Sequence, residues 1–269
     1  MMPHVPRRIG QLLLPCTLCL LMTACASIPE PTDTGHFEPR TLVYDNWTYK
    51  YEIFVPAHLQ PAGMTPIVLF LHGSGERGND GHDPTTSGLG PYLRDHRDDF
   101  PALVVFPQAP RHASWAGEPG DMAMAALDAV ATEYQTDPSR TYLTGMSMGG
   151  YGTYELALLH PKRFAALVPV CGGITQPNER EPLNVSVVAR EKDPFAAAAK
   201  GIAGTPIWIF HGGDDDVVPT RQARHMAKAI KAAGGSVRYT EFPDDNHNSW
   251  DSTYNYEPMW TWMFEQKQG

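Results

Sequence analysis

The stretch RTYLTGMSMGGYGTYELALLHP, residues 140–161, places one serine, Ser147, between Gly145 and Gly149. A short apolar run typical of a strand precedes the serine, and a helix-like run follows it and stops before Pro161. Gly-x-Ser-x-Gly between a strand and a helix predicts a nucleophile elbow, in which a strained turn exposes the serine hydroxyl. A turn selected for packing alone would carry the same residues. The interpretation therefore depends on whether the rest of the chain offers catalytic partners.

A serine hydroxyl needs a general base, which in turn needs a carboxylate to orient it. In this strand–helix framework the acid follows the serine and the histidine comes last. Four histidines follow the serine: His160, His211, His225 and His247. His247 stands in the polar loop PDDNHNSWD after the last predicted strand and is the candidate base. The acid is expected in the loop HGGDDDVVP, where the pattern does not choose among Asp214, Asp215 and Asp216.

An oxyanion hole needs two N–H donors aimed at the place where negative charge develops. The residue after the nucleophile, Met148, supplies one of them. The loop HGSGERG, residues 72–78, follows an early strand-like run, and Ser74 is best placed in it to supply the second. Gly73 and Gly75 on either side of this serine allow the chain to turn close to the site.

Strand-like and helix-like segments alternate along the body of the chain. Two runs around Asp45 and Asn46 predict a β-hairpin. Six short apolar runs predict buried strands at residues 66–72, 102–107, 141–145, 164–170, 206–212 and 237–243. Amphipathic helical patterns lie between them. The alternation predicts an α/β fold with a mostly parallel sheet of about eight strands and helices on both faces, in one catalytic domain over residues 41–269.

The first 24 residues differ in kind from the body. Arg7 and Arg8 precede an apolar run that is too short and too broken for a membrane span, which predicts a signal peptide. The run ends in LMTAC, similar to the lipobox of bacterial lipoproteins, so Cys25 is the expected lipid attachment site. Residues 25–40, rich in Pro, Thr and acidic side chains, are expected to form a tether. These features predict an exported lipoprotein of the cell envelope, or a secreted protein if cleavage falls elsewhere.

The charge balance argues against nucleic acid as a partner. Loss of Arg7 and Arg8 with the leader takes the 21 basic residues to 19, against 30 acidic residues, for a net charge of about −11. Such a charge repels phosphate backbones and anionic lipid headgroups. Membrane contact is therefore expected only through the lipid anchor. With Cys25 lipidated, Cys171 is the one remaining thiol and no internal disulfide can form.

Five segments in order resemble a known family. They are LFLHGSGERG, VVFPQAP with SWAG, YLTGMSMGGYGTYELA, PIWIFHGGDDDVVP and NHNSWD. Over about residues 41–266 the chain resembles the α/β-hydrolases, in the dienelactone hydrolase-like and polyhydroxybutyrate depolymerase-like esterase group that is related to prolyl oligopeptidase catalytic domains. The family pattern His-Gly-x-x-Asp-x-x-Val-Pro implies that the acid is Asp215. Asn246 stands where the family commonly has glycine, and the nucleophile is a serine where true dienelactone hydrolases use cysteine.

The resemblance implies a serine carboxylesterase that works through an acyl-enzyme on Ser147, with neither metal nor cofactor. Trp115, Tyr151 and Trp250 flank the motifs and are candidate pocket residues, although aromatic residues in these positions suit a core equally well. A serine peptidase for small peptides, an acyltransferase and a non-catalytic binding lipoprotein are the alternatives. The natural ester and the oligomeric state stay open.

Overall fold

The computed structural model describes residues 34–178 and 182–269, so the predicted signal peptide and Cys25 lie outside the described residues. Eight strands form one sheet: β1 His36–Tyr44, β2 Trp47–Val55, β3 Ile67–Leu71, β4 Leu103–Pro107, β5 Thr141–Met146, β6 Ala166–Val170, β7 Ile207–Gly212 and β8 Val237–Phe242. The helices are α1 Leu89–Asp95, α2 Glu118–Glu133, α3 Met148–Leu159, α4 Pro194–Ile202, α5 Arg221–Ala232, α6 Trp250–Tyr254 and α7 Glu257–Glu265.

The sheet has the order β1-β2-β4-β3-β5-β6-β7-β8. The hairpin β1–β2 joins the rest through an antiparallel pairing of β2 with β4, and every later pairing is parallel. Asp45 and Asn46 form the hairpin turn with φ values of +46° and +65°, as the type I′ geometry requires. The predicted eight strands, hairpin and mostly parallel sheet are confirmed.

Alternate residues of each central strand enter two separate cores. Leu69 and Leu71 pack with α2, α3, α4 and α5 on one face, whereas Val68 and Phe70 pack with α1, α6 and α7 on the other. Helices therefore cover both faces of a sheet whose central strands are buried throughout. The result is the predicted three-layer architecture.

The first strand begins earlier than the sequence pattern predicts. The pattern assigned residues up to 40 to a tether, whereas β1 starts at His36 and pairs residue by residue with β2 from His36 opposite Val55 onward. Phe37 anchors this segment, because its ring lies 5.3 Å from that of Phe54. Pro39 is compatible with the strand because β1 is at the sheet edge.

None of the helices in the described part of the chain is long and apolar enough to cross a bilayer.

Candidate active site

Ser147 lies in a sharp turn between β5 and α3, with φ +53° and ψ −115°. A residue with a β-carbon rarely adopts such a positive φ. The turn is held by the Ser147 amide, which donates to the carbonyl of Val170 at 2.9 Å. Gly145 has no room for a side chain, since a β-carbon there would lie 2.5 Å from the carbonyl oxygen of Gly149. The flanking glycines therefore permit the strained turn that the motif predicts.

His247 contacts both predicted partners. Its Nε2 atom lies 2.8 Å from Oγ of Ser147, and its Nδ1 atom lies 2.8 Å from Oδ2 of Asp215. A carboxylate can only accept, so Nδ1 carries the proton and Nε2 is free to accept from the serine hydroxyl. The structure thus brings Ser147, Asp215 and His247 into one hydrogen-bonded chain. Asp214, by contrast, is solvent-exposed.

The Asp215 side chain is fully buried. Its Oδ1 accepts from the amides of Val217 and Val218 at 2.9 and 2.8 Å. Burial by itself would raise the pKa of the Asp215 carboxyl, but contacts with His211 and His247 and the Val218 amide lower it well below its usual range. The group therefore stays ionised, as an orienting carboxylate must be.

The loop after β3 is held by His72, which sequence reasoning did not single out. Its Nδ1 donates to the carbonyl of Gly73 at 2.6 Å, and its Nε2 accepts from the amide of Ala109 at 3.0 Å. Burial lowers the pKa of His72 to about 4, so the ring is neutral. The Gly73 carbonyl and the Ser74 amide belong to the same planar peptide unit and point in opposite directions. By fixing the carbonyl, His72 fixes the direction of the predicted oxyanion donor.

A cavity of about 270 Å³ opens beside Ser147 and His247. Ser74 lines it, and Met148 follows the serine as the first residue of α3. Its apolar wall consists of Met146, Pro177, Leu183, Val217, Val218 and Trp250. A cavity at the small end of the range for ligand sites suits a compact substrate.

Glu76 is the one ionisable residue of the described cavity wall apart from His247. Its Oε2 is buried and has no hydrogen-bond partner among the described residues. Burial raises the pKa of this carboxyl, against the opposing effect of nearby donors such as Ser87. No pattern in the sequence marked Glu76, because a lone glutamate in a glycine-rich loop ordinarily faces solvent.

The three aromatic candidates separate in the structure. Trp250 lines the cavity, with its ring 5.6 Å from that of His247. Trp115 and Tyr151 do not border it and are almost wholly buried in the core. Trp115 donates from Nε1 to the carbonyl of His72, and the Tyr151 hydroxyl donates to the carbonyl of Thr175. In the structure, both residues thus lie behind the wall of this cavity and contact its loops from the core.

Within residues 34–178 and 182–269, no group of three or more His, Cys, Asp and Glu side chains is arranged to hold a metal ion.

Comparisons with known proteins agree with this architecture. The chain is 26% identical over 187 residues to the bifunctional acetylxylan esterase/xylanase XynS20E of Neocallimastix patriciarum, covering 65% of this chain and 23% of that one. It is 24% identical over 216 residues to the carboxylesterase SOBER1 of Arabidopsis thaliana, covering 72% of this chain and 88% of that one. The chain thus spans less than a quarter of the first relative and most of the second.

Among solved structures, a thermostable esterase superposes with a TM-score of 0.72 at 32% identity, covering 86% of this chain and 63% of that one. The sheet and helices described above are those of the α/β-hydrolase fold seen in this neighbour. The model of the dienelactone hydrolase family matches residues 111–255, which include Ser147, Asp215 and His247 and more than half of the chain. The chain belongs to the dienelactone hydrolase family.

Proposed function

We propose that this protein is a serine carboxylesterase that hydrolyses small esters through an acyl-enzyme on Ser147. The observation that carries the proposal is the pair of 2.8 Å contacts through which His247 joins Ser147 to Asp215. This arrangement supplies a nucleophile, a base within hydrogen-bond reach and a buried carboxylate that holds the base in one tautomer. The carboxylesterase and acetylxylan esterase among the relatives support the same reaction class.

In the proposed mechanism, Nε2 of His247 takes the proton of Ser147 as Oγ attacks the ester carbonyl. The amides of Ser74 and Met148 donate to the oxyanion that forms. Asp215 stabilises the imidazolium, which then gives its proton to the departing alcohol. Water, activated by the same histidine, hydrolyses the acyl-enzyme and restores the serine.

The size of the cavity favours a short acyl group. A volume of about 270 Å³ holds a small ester but leaves little room for a long chain along the wall formed by Leu183, Val217 and Val218. Acetyl esters fit this description, and a relative is named for an acetylated polysaccharide. We also propose export by the signal peptide of residues 1–24 and lipid attachment at Cys25, which would bring the enzyme to esters outside the cytoplasm.

The replacement of Ser147 by alanine tests the reaction. Ser147→Ala is expected to lower kcat/KM for p-nitrophenyl acetate by roughly 10⁴-fold or more, because no other group provides the covalent step. The same variant should lose labelling by a fluorophosphonate probe. Ser236→Ala is the control and should behave as wild type. Ser236 precedes β8, at the end of the sheet opposite to the one that bears Ser147. Unchanged turnover by purified Ser147→Ala protein would exclude the proposed function.

A further inference from the structure

A second imidazole reaches the carboxylate that orients His247. His211 lies in β7, four residues before Asp215, and both side chains are fully buried. Nε2 of His211 is 3.1 Å from Oδ2 of Asp215, the same oxygen that His247 contacts from the other side. The same Nε2 donates to the carbonyl of Val218 at 2.8 Å.

The contacts of His211 determine where its proton lies. A carboxylate and a carbonyl both act only as acceptors, so Nε2 carries the proton and its N–H lies between them. The other ring nitrogen, Nδ1, is buried and has no hydrogen-bond partner in the described part of the chain. An unsatisfied buried nitrogen costs stability, and an apolar side chain of similar size would avoid that cost. What an apolar side chain cannot provide is the N–H at Oδ2.

We propose that His211 is a positioning residue for the Ser147 reaction: its Nε2–H holds the Asp215 carboxylate in line with His247 and disperses the negative charge on Oδ2. The inference rests on the proposed function, because it concerns the same triad. Without His211, Oδ2 would keep its contact with His247 but would carry more charge and have one restraint fewer. The protonated form of His247 would then be stabilised more strongly, which makes the histidine harder to deprotonate for its task as a base.

Three ionisable groups that interact with this pair do not titrate near neutral pH. Burial raises the pKa of both Tyr151 and Cys171, whose ionised forms interact with Asp215, so both are neutral. Glu241 of β8 interacts with His211, and hydrogen bonds from Arg224 and Tyr239 lower the pKa of this carboxyl to about 2. It therefore stays charged throughout the range in which an esterase is assayed. A change in the acidic limb of the pH–rate profile therefore does not arise from any of these three groups.

The experiment compares His211→Leu, which removes the N–H, with His211→Gln, whose side-chain amide can place an N–H near the same position. We expect His211→Leu to move the acidic limb of kcat/KM for p-nitrophenyl acetate to higher pH by about half to one unit. We also expect it to lower the plateau value by about three- to tenfold. His211→Gln should return the limb close to its wild-type position. Active-site titration with a fluorophosphonate corrects each rate for the fraction of folded enzyme.

His160→Leu is the matched control, because His160 also has a buried ring nitrogen without a partner among the described residues but makes no contact with Asp215. Its acidic limb should coincide with that of the wild type. If His211→Leu does not fold, His211→Met, which is also without a donor, takes its place.

Two results overturn the inference: an unshifted limb in the variants without a donor, or an equal shift in His211→Gln. Failure of the proposed function would look different, since Ser147→Ala would then retain activity in the same assay.

Discussion

At Ser147 the backbone stores strain that the surrounding structure must offset. A non-glycine residue held at φ +53° costs on the order of 1–3 kcal/mol. The 2.9 Å hydrogen bond to Val170 and the close approach of Gly145 to Gly149 hold the residue there. The consequence is that Oγ lies within reach of His247 rather than turning into the core. Strain at this one residue is thus tied to the proposed chemistry.

Asp215 and Asp214 offer a direct comparison at the same scale. Asp215→Asn should lower kcat/KM by roughly 10³- to 10⁴-fold, because an amide no longer holds His247 in the required tautomer. Asp214→Asn should stay within about threefold of wild type, since an exposed carboxylate contributes little. Steady-state kinetics on a soluble ester measures both. If Asp214→Asn lowered kcat/KM more than Asp215→Asn, Asp214 would be the catalytic acid instead.

Glu76 predicts a pH-dependent change in stability. Its pKa is raised in the folded protein, so the folded state binds a proton more tightly than the unfolded chain does. Ionisation of Glu76 therefore lowers the stability of the folded protein. The full loss of stability applies above the folded-state pKa, and there is no loss well below 4.5, the ordinary pKa of this carboxyl. Glu76→Gln should raise the Tm at pH 7 by a few degrees, and the gain should disappear as the pH falls below about 4.

Glu155→Gln is the contrasting control for that measurement. Glu155 is also buried, but its carboxylate accepts from both the amide and the hydroxyl of Ser186. Glutamine has only one acceptor oxygen, so it would leave one of these two donors without a partner and should lower the Tm at pH 7. Calorimetry at pH 7 and at a pH below about 4 compares Glu76→Gln and Glu155→Gln with wild type. A Tm of Glu76→Gln below that of wild type at pH 7 would contradict the expected sign.

At the scale of elements, α3 positions the site by lying unusually close to the sheet. Nearly all of this helix is buried, and its contacts with β3 and β6 depend on glycines. A β-carbon on Gly149 would lie 1.8 Å from the carbonyl oxygen of Leu71, and one on Gly150 would lie 2.7 Å from that of Val170. The second glycine of the Gly-x-Ser-x-Gly motif therefore serves helix–sheet packing, while Ser147, two residues before it, takes the strained dihedral.

Gly149→Ala should consequently push α3 away from β3. We expect the free energy of unfolding to fall by about 3 kcal/mol or more, because the clash is with backbone and no flexible side chain can yield. Gly204→Ala is the control, since nothing lies within 4 Å of a β-carbon there, and it should change stability by less than about 1 kcal/mol. Urea denaturation measures both, and equal values for the two variants would contradict the packing argument.

For the whole molecule, strand direction separates the site from the beginning of the described chain. β1 runs parallel to β4, since each pairs antiparallel with β2. His36 therefore lies at the end of the sheet where the parallel strands begin. The loops that bear Ser147, Asp215 and His247 leave the strands at the opposite end. The first strand therefore begins on the side of the sheet away from the cavity.

Cys25→Ala tests the anchor. The variant should move from the membrane fraction to the soluble fraction of the cell envelope, because it lacks the proposed lipid attachment residue. Its kcat/KM should equal that of the wild type, since Cys25 is not among the residues of the proposed catalytic mechanism. Fractionation followed by an esterase assay measures both quantities. Recovery of Cys25→Ala in the same membrane fraction as wild type would refute lipid attachment there.

Local patterns were sufficient for the architecture and for part of the site. Apolar runs of strand length, amphipathic helices and the Asp45–Asn46 turn each depend on neighbouring residues, so the eight strands and three layers could be read from the sequence. The start of β1 could not, because residues from His36 onward form a strand only through pairing with β2. Trp115 and Tyr151 were ambiguous because an aromatic ring suits a core and a pocket equally.

Residue patterns along the chain were enough to establish the fold class, the elbow around Ser147 and the loops from which its partners come. The local pattern did not distinguish three adjacent aspartates, since all leave the same strand. The family resemblance pointed to Asp215, and in the structure the contact with a histidine 32 residues away distinguishes it. Nor did the local pattern reveal Glu76 in the cavity wall or His211 beside Oδ2 of Asp215. Those features depend on contacts between residues that are distant in sequence, which form only after the strands pair and the helices pack. No local sequence pattern predicts such contacts.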